Sequence, residues 1–374
     1  MTTKNNEFNP FSISTYLGKD YFCDREHEVE TLTSALYNMR NVTLISPRKM
    51  GKTGLIRHFF ASLPQKDIVT LYVDLDGTGC LNDLIRVMSE ALLSQTFTLT
   101  QKIANEIKAV LSGIRPTLTP NTITGEMVWS VSVEPTTEQA TLSTLFKYLE
   151  SLSRPCYVAF DEFQNVAAYQ EKNVEALLRS HIQHLKNVHF IFAGSQRHLM
   201  TEMFASPKRP FFQSTQMMPL SPIEEEQYAA FAEHHLKKNK LSLNKEDFHY
   251  YYDRLHGHTW YIQSILNRLY SLGLDYTTAN VQRVISEIIA ENRNTYLLFA
   301  SLLTRNQVEL LKAVAHEGSI KEISSKDFVQ KYRLGAPSSV RNAAKILVDK
   351  EFLMEENGLY SVYDRFMSLW LANR

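Results

Sequence analysis

An apolar run that ends in Gly-Lys-Thr constrains this chain more than any other feature. Asn41-Val-Thr-Leu-Ile45 reads as a short buried strand and passes directly into Ser46-Pro-Arg-Lys-Met-Gly51-Lys52-Thr53. Leu55, Ile56 and Phe59 then take up helical spacing. Strand, tight loop and helix start, in that order, turn backbone N–H groups and the positive end of a helix dipole toward one point, which suits a phosphate. The pattern is Walker A with Ser46 in place of its first glycine. Gly51 permits close backbone approach, Lys52 supplies a point charge for the β- and γ-phosphates, and Thr53 offers a hydroxyl to Mg²⁺. Gly-Lys-Thr also occurs at ordinary turns, so the assignment rests on the partners such a loop requires.

Those partners lie further along. Asp24-Arg25-Glu26 opens a helix with Val29, Leu32, Leu36 and Met39 on one face. A second strand is expected at Ile68–Asp74 and a helix from Leu81 to Ser94. This alternation predicts an α/β fold with a parallel sheet. The Thr/Ser-rich stretch 113–136, punctuated by Pro116, Pro120, Gly125 and Pro135, reads as a hairpin insertion. A helix over 137–152 follows. Cys156-Tyr-Val-Ala-Phe160 is then an apolar strand ending in Asp161-Glu162, the Walker B pattern. Asp161 would hold Mg²⁺ and Glu162 would polarise the attacking water; two solvated acids at a strand end are the plain alternative. A helix over 171–186 leads to the strand 188–193, and a last short strand is expected at 215–219. Gly194-Ser195-Gln196-Arg197 stands at the carboxyl end of the fourth of these strands, the edge where ligands of such sheets sit. Ser195 or Gln196 is placed to read a γ-phosphate and Arg197 to sense charge, unless Ser195 is only a helix cap. Arg209, in Lys208-Arg-Pro-Phe211, is a candidate arginine finger.

Past Leu220 the pattern turns all-helical. Ser221-Pro-Ile-Glu224 reads as a capping box with proline at the first helical position. Helices are expected over 222–238, 245–255, 259–271 and 278–292. Thr304-Arg-Asn-Gln307 is a second capping box, followed by a short helix at 325–332, the turn Leu334-Gly-Ala-Pro337 and a helix from Ser338 to Asp349. Short strands at 352–354 and 359–362 complete a helix-turn-helix with a β wing. The expected domains are 1–220 (core), 221–300 (helical lid) and 301–374 (winged helix). Ser339, Arg341, Asn342 and Lys345 fall on the polar side of the recognition helix, where they suit phosphate and base-edge contacts; docking a protein is the other use of such a unit.

Composition removes other classes. Lys+Arg and Asp+Glu are both 40, which excludes a general polyanion coat, although Thr304–Lys350 holds nine basic against five acidic residues. Three scattered cysteines, Cys23, Cys80 and Cys156, make neither a disulfide framework nor a metal motif. Of twelve histidines, the pairs His181/His184, His234/His235 and His256/His258 lack a cysteine or carboxylate at ligand spacing. No apolar run suggests a membrane helix, and MTTKNNEFNP has no apolar stretch of a secretory signal, so a cytoplasmic protein is expected.

Several motifs together resemble the archaeal-type ATPases of the STAND group of AAA+ P-loop proteins, in the version known from Bacteroidetes. They are Tyr21-Phe-Cys-Asp-Arg-Glu26, Ile45–Thr53, Phe160-Asp-Glu-Phe-Gln164, Ala193-Gly-Ser-Gln-Arg-His198, Gly257-His-Thr-Trp-Tyr-Ile-Gln263 and Val362-Tyr-Asp-Arg-Phe366 with Trp370-Leu371. The resemblance implies a five-stranded core, a helical lid and a C-terminal winged helix. It also implies ATP/ADP contacts along Ser46, Pro47, Arg48, Lys49, Met50, Gly51, Lys52, Thr53 and Gly54. Phe22 and Arg25 would lie beside the adenine, and Gly257 and Tyr261 would lie where the lid touches the nucleotide. Ser46, Thr259 and Arg365 depart from the usual residues. The function expected is a slow, Mg²⁺-dependent ATPase acting as a nucleotide-controlled switch through its winged helix, with nucleotide-dependent self-association. The alternatives are a DNA-binding regulator, or a protein-docking scaffold in which the nucleotide is structural.

Overall fold

A computed structural model of the chain describes residues 8–96, 113–120, 127–356 and 358–374. It divides into two compact units, one formed by Thr15–Pro222 and the other by residues up to Ser14 together with Ile223–Arg374.

The first unit is an α/β layer structure. Its elements are α1 (Glu26–Tyr37), β1 (Val42–Ile45), α2 (Lys52–Ser62), β2 (Val69–Asp74), α3 (Leu81–Thr96), β3 (Ile114–Pro120), β4 (Met127–Val133), α4 (Glu138–Glu150), β5 (Cys156–Asp161), α5 (Val174–Ile182), β6 (Val188–Gly194), α6 (Arg197–Ala205) and β7 (Gln216–Pro219). The five-stranded sheet has the order β2-β5-β6-β1-β7, and every pairing is parallel. The three inner strands β1, β5 and β6 are buried at every position, whereas the edges β2 and β7 mix buried with exposed residues. A parallel strand covered on both faces has no solvent side, which is why these read as continuous apolar runs. One face carries the rings of Phe160, Phe163, Phe190, Phe192, Phe204 and Phe211, each at most 2% exposed. Burying each such side chain contributes about 1.5–3 kcal/mol. The insertion forms a separate antiparallel pair, β3 with β4, in which Ile114 faces Val133.

Register levels the strand ends that matter. Ile45 pairs with Gly194, and Asp74 pairs with Asp161. The loop after β1, the acids after β5 and the polar residues after β6 therefore share the carboxyl edge of the sheet.

The second unit holds α7 (Glu225–Lys238), α8 (Lys245–Arg254), α9 (Thr259–Leu272), α10 (Thr278–Ser301), α11 (Arg305–Glu317), α12 (Lys326–Tyr332), α13 (Pro337–Asp349), β8 (Leu353–Glu356), β9 (Leu359–Val362) and α14 (Arg365–Ala372). The last six make a winged helix with an added C-terminal helix. Three features differ from the sequence expectation. Helix α7 starts at Glu225 with Glu224 as an N-cap that makes no side-chain bond, so Ser221-Pro-Ile-Glu224 is not a capping box. Leu220 is still bonded to Ile45 O, and Ile223 O accepts from the Tyr252 hydroxyl, so both ends of this segment are held outside a helix. Helix α10 continues through Asn292-Arg-Asn294 to Ser301, 24 residues in all. The segment before Ser14 packs in this unit: Phe11 is fully buried against Phe231, His235 and Tyr270, the Asn9 amide donates to the Asn267 carbonyl, and the Asn267 amide donates to the Phe11 carbonyl. The Thr304–Gln307 capping box forms as expected.

Candidate nucleotide site

Helix α2 begins at Lys52 because Gly51 takes a left-handed φ of 93°, which opens the chain between loop and helix. Lys49 also has a positive φ, whereas Ser46 does not, so the Cβ that replaces glycine at Ser46 carries no backbone strain. Ser46 instead contributes chemistry. Its hydroxyl and carbonyl lie 3.2 and 3.0 Å from Lys52 Nζ, and the Pro47 carbonyl lies 3.1 Å away. Lys52 is only 5% exposed, and its ammonium is held by these loop oxygens. Burial lowers its pKa to about 8, while Glu162 and Asp161 pull the other way and Arg48 adds to the lowering. Met50 packs into the core beneath the loop.

Asp161, 3% exposed, is the meeting point of three elements. Its Oδ2 accepts the Thr53 hydroxyl from α2 at 2.6 Å, across 108 residues of sequence, and the Tyr72 hydroxyl from β2 at 2.7 Å. Its Oδ1 accepts the Glu162 N–H at 3.1 Å. Glu162 sits at φ 53°, a left-handed turn that swings its side chain away from the strand direction. Its Oε2 accepts the Ser195 hydroxyl at 2.7 Å, the Ser195 N–H at 3.3 Å and the Gln164 amide. Ser195 is thus no helix cap; Gln196 occupies that position and α6 starts at Arg197, which is exposed. Arg48 reaches the Ser195 oxygen at 3.4 Å. Gly194 makes this convergence feasible, since a Cβ there would strike Gln164 and would come within 2.5 Å of Met200.

On the other side of α2, the Phe22 ring stacks on His58 at 4.3 Å and would sit 3.3 Å from a Cβ at Gly54. Tyr16 closes this group edge-on and bonds His58 at 2.9 Å. Arg25, 4% exposed, follows two left-handed residues' worth of turn (Asp24 and Arg25 itself), pairs with Glu28 at 2.6 Å, and leaves Nη2 buried with no protein hydrogen bond among the described residues. Arg209 is ion-paired with Glu175 at 3.2 Å and Glu202 at 3.4 Å.

The remaining candidates belong to the second unit. Gly257 has a left-handed φ of 63°, and Tyr261 is 1% exposed with its ring edge-on to Phe366. Ser339, Arg341, Asn342 and Lys345 are all exposed on α13, while Val340, Ala343, Ala344 and Leu347 are buried. Among the described residues, one group of three side chains has metal-ligand reach: Glu225, His249 and Asp253. His249 faces a carboxylate with each ring nitrogen, at 2.9 and 3.6 Å, and ion pairing accounts for the group. Tyr72, His58 and Tyr16 had no part in the sequence reading. Only the position of Tyr72, two residues before a strand end level with Asp161, signalled its role.

Residues 37–201 match the AAA domain family, and residues 294–373 match the family described as "probable winged helix domain". Among solved structures, the chain is similar to a Walker-type ATPase of Pyrococcus abyssi, with 16% identity over 97% of this chain and 99% of that one and a TM-score of 0.66. It is similar to the ORC2 protein of Aeropyrum pernix in ADPNP–ADP complexes, with 14% identity, coverage of 98% and 96%, and a TM-score of 0.59. The Aeropyrum pernix ORC1 protein in complex with DNA follows at 13% identity, coverage of 97% and 95%, and a TM-score of 0.51. At these identities the likeness is one of fold. No curated protein matches the chain. Among the described residues, no helix is long and apolar enough to cross a membrane.

Proposed function

We propose that this chain, an AAA domain followed by a winged helix domain, binds ATP with Mg²⁺ at Ser46–Thr53 and hydrolyses it slowly, as a switch acting through its C-terminal unit. The observation that carries the reading is the 2.6 Å bond between Thr53 Oγ1 and Asp161 Oδ2, which joins the start of the loop's helix to the end of β5. Two hard oxygens so placed, one of them a buried carboxylate, fit Mg²⁺ better than a softer ion. When bound with the nucleotide, Mg²⁺ would neutralise charge across the β- and γ-phosphates.

The chain's own residues supply the rest. Lys52 would exchange the carbonyls of Ser46 and Pro47 for phosphate oxygens. The Phe22–Gly54–His58 face offers an apolar wall for a base, and the buried Arg25 Nη2 offers a donor for which a ligand could provide the acceptor. Glu162 is held through Oε2, which leaves Oε1 to orient water. Arg209 is committed to Glu175 and Glu202, which supports a slow rate. The motifs quoted above support a place in the STAND group, with 221–300 as lid and 301–374 as winged helix. The test is single-turnover hydrolysis in Glu162→Gln, expected to bind ATP as the wild type does and to hydrolyse it at least ~100-fold more slowly. Wild-type turnover in that variant contradicts the reading.

A second reading is DNA binding through α13, favoured by the exposed row Ser339, Arg341, Asn342 and Lys345. The wing is less suited to phosphate, because β8 ends in Glu355-Glu356 and Thr304–Arg374 as a whole has 11 basic against 9 acidic residues. The helix, and not the wing, would meet the duplex. Binding that weakens steeply with salt and is lost in Arg341→Ala/Lys345→Ala supports it; no binding at low salt removes it. Mass measurement with and without ATP and Mg²⁺ tests nucleotide-dependent self-association.

A further inference from the structure

Tyr72 carries a hydroxyl that its packing in the sheet does not require. The residue is half-buried on β2, pairs with Ala159 on β5, and packs on the face of the sheet that α2 covers. The Arg57 guanidinium lies over its ring at 4.2 Å, so the ring is clamped between the sheet and the helix that carries Thr53. A phenylalanine would fill this space equally well. The oxygen adds a 2.7 Å bond to Asp161 Oδ2, the same atom that accepts the Thr53 hydroxyl at 2.6 Å.

We propose that Tyr72 is a positioning residue that fixes the orientation of the Asp161 carboxylate for the metal–nucleotide complex; this rests on the nucleotide reading above. Asp161 stands at a strand end with its two oxygens serving different purposes. Oδ1 is tied to the Glu162 backbone, so rotation of the carboxylate would be felt at Glu162. Oδ2 faces the exposed Thr53 hydroxyl, a donor that must also serve the ligand, and the Oδ1 bond comes from the next residue of the same turn and moves with it. Tyr72 adds a third donor from a separate strand, on a ring held by packing, and so restrains Oδ2 independently of the loop and the turn. With the proton of Thr53 directed at Oδ2, the lone pairs of Thr53 are turned outward, as a metal ligand requires. Outer-shell donors of this kind typically change metal affinity by about 10–100-fold when removed.

The test is Tyr72→Phe, which keeps the ring and removes the oxygen, measured by binding of a fluorescent ATP analogue in chelator and across a Mg²⁺ titration. The expected result is metal-free affinity within about twofold of wild type and a Mg²⁺ midpoint raised about tenfold or more. An unchanged or lowered Mg²⁺ midpoint in the variant overturns the inference, as does a wild type whose nucleotide binding ignores Mg²⁺. A wild type that binds no nucleotide with or without Mg²⁺ overturns the nucleotide reading itself, and this inference with it.

Discussion

Ser195 donates its hydroxyl to Glu162 Oε2 across 2.7 Å, joining the residue after β6 to the residue after β5. The Ser195 N–H and the Gln164 amide converge on the same oxygen, so the carboxylate is oriented from three directions. Ser195→Ala removes one of the three, a hydrogen bond to a charged group worth ~1.5 kcal/mol or more. Single-turnover hydrolysis is expected to slow by about tenfold, with ATP affinity nearly unchanged. An equal loss in affinity would assign Ser195 to nucleotide binding instead.

The buried ammonium of Lys52 predicts a pH dependence with a definite sign. Its folded pKa, about 8, is below its ordinary 10.5, so the folded chain sheds this proton first. The cost of burying the charge is present below about 8 and is relieved between 8 and 10.5, so this group makes the ligand-free chain more stable as pH rises through that interval. Phosphates restore the ammonium. ATP binding at a pH just above the folded pKa is therefore expected to take up a proton, which calorimetry in two buffers of different ionisation heat would detect.

Gly194 stands where β6 passes under Gln164 and Met200, and its missing side chain sets the packing there. Gly194→Ala puts a methyl within 2.5 Å of Met200 and against Gln164, overpacking expected to cost about 1–3 kcal/mol. Denaturant unfolding should report that loss. Because Gln164 holds Glu162, hydrolysis should fall more than ATP affinity does.

Phe11 anchors the N-terminal segment in the unit formed by Ile223–Arg374. Phe11→Ala is expected to destabilise that unit by ~3–5 kcal/mol. Followed by the environment of Trp260 and Trp370, thermal unfolding should shift down clearly, whereas an unshifted transition would mean the segment contributes no packing.

Much of the AAA core was legible because its physics is local. Strands buried on both faces spell continuous apolar runs, and Gly51-Lys52-Thr53 and Asp161-Glu162 each stand at the end of one. What stayed hidden depended on long-range placement. Phe11 stands in a stretch with no periodic apolar pattern until folding brings it to Tyr270, and Tyr72 reads as an ordinary strand former until register sets it near Asp161. Ser221-Pro-Ile-Glu224 has the letters of a helix start, yet the β7 ladder at Leu220 and the Tyr252 bond at Ile223 hold it outside the helix. Asn292-Arg-Asn294 looks like an end to α10 because it is polar, but an exposed helix face admits polar residues freely.

The account turns on Lys52 and the loop that holds it. Equilibrium binding of ATP in the presence of Mg²⁺, wild type against Lys52→Ala, is the most direct measurement. The account predicts clear wild-type binding and a loss of about 100-fold or more in the variant, as removal of a buried charge facing phosphate implies. Equal ATP binding by the two proteins would contradict it.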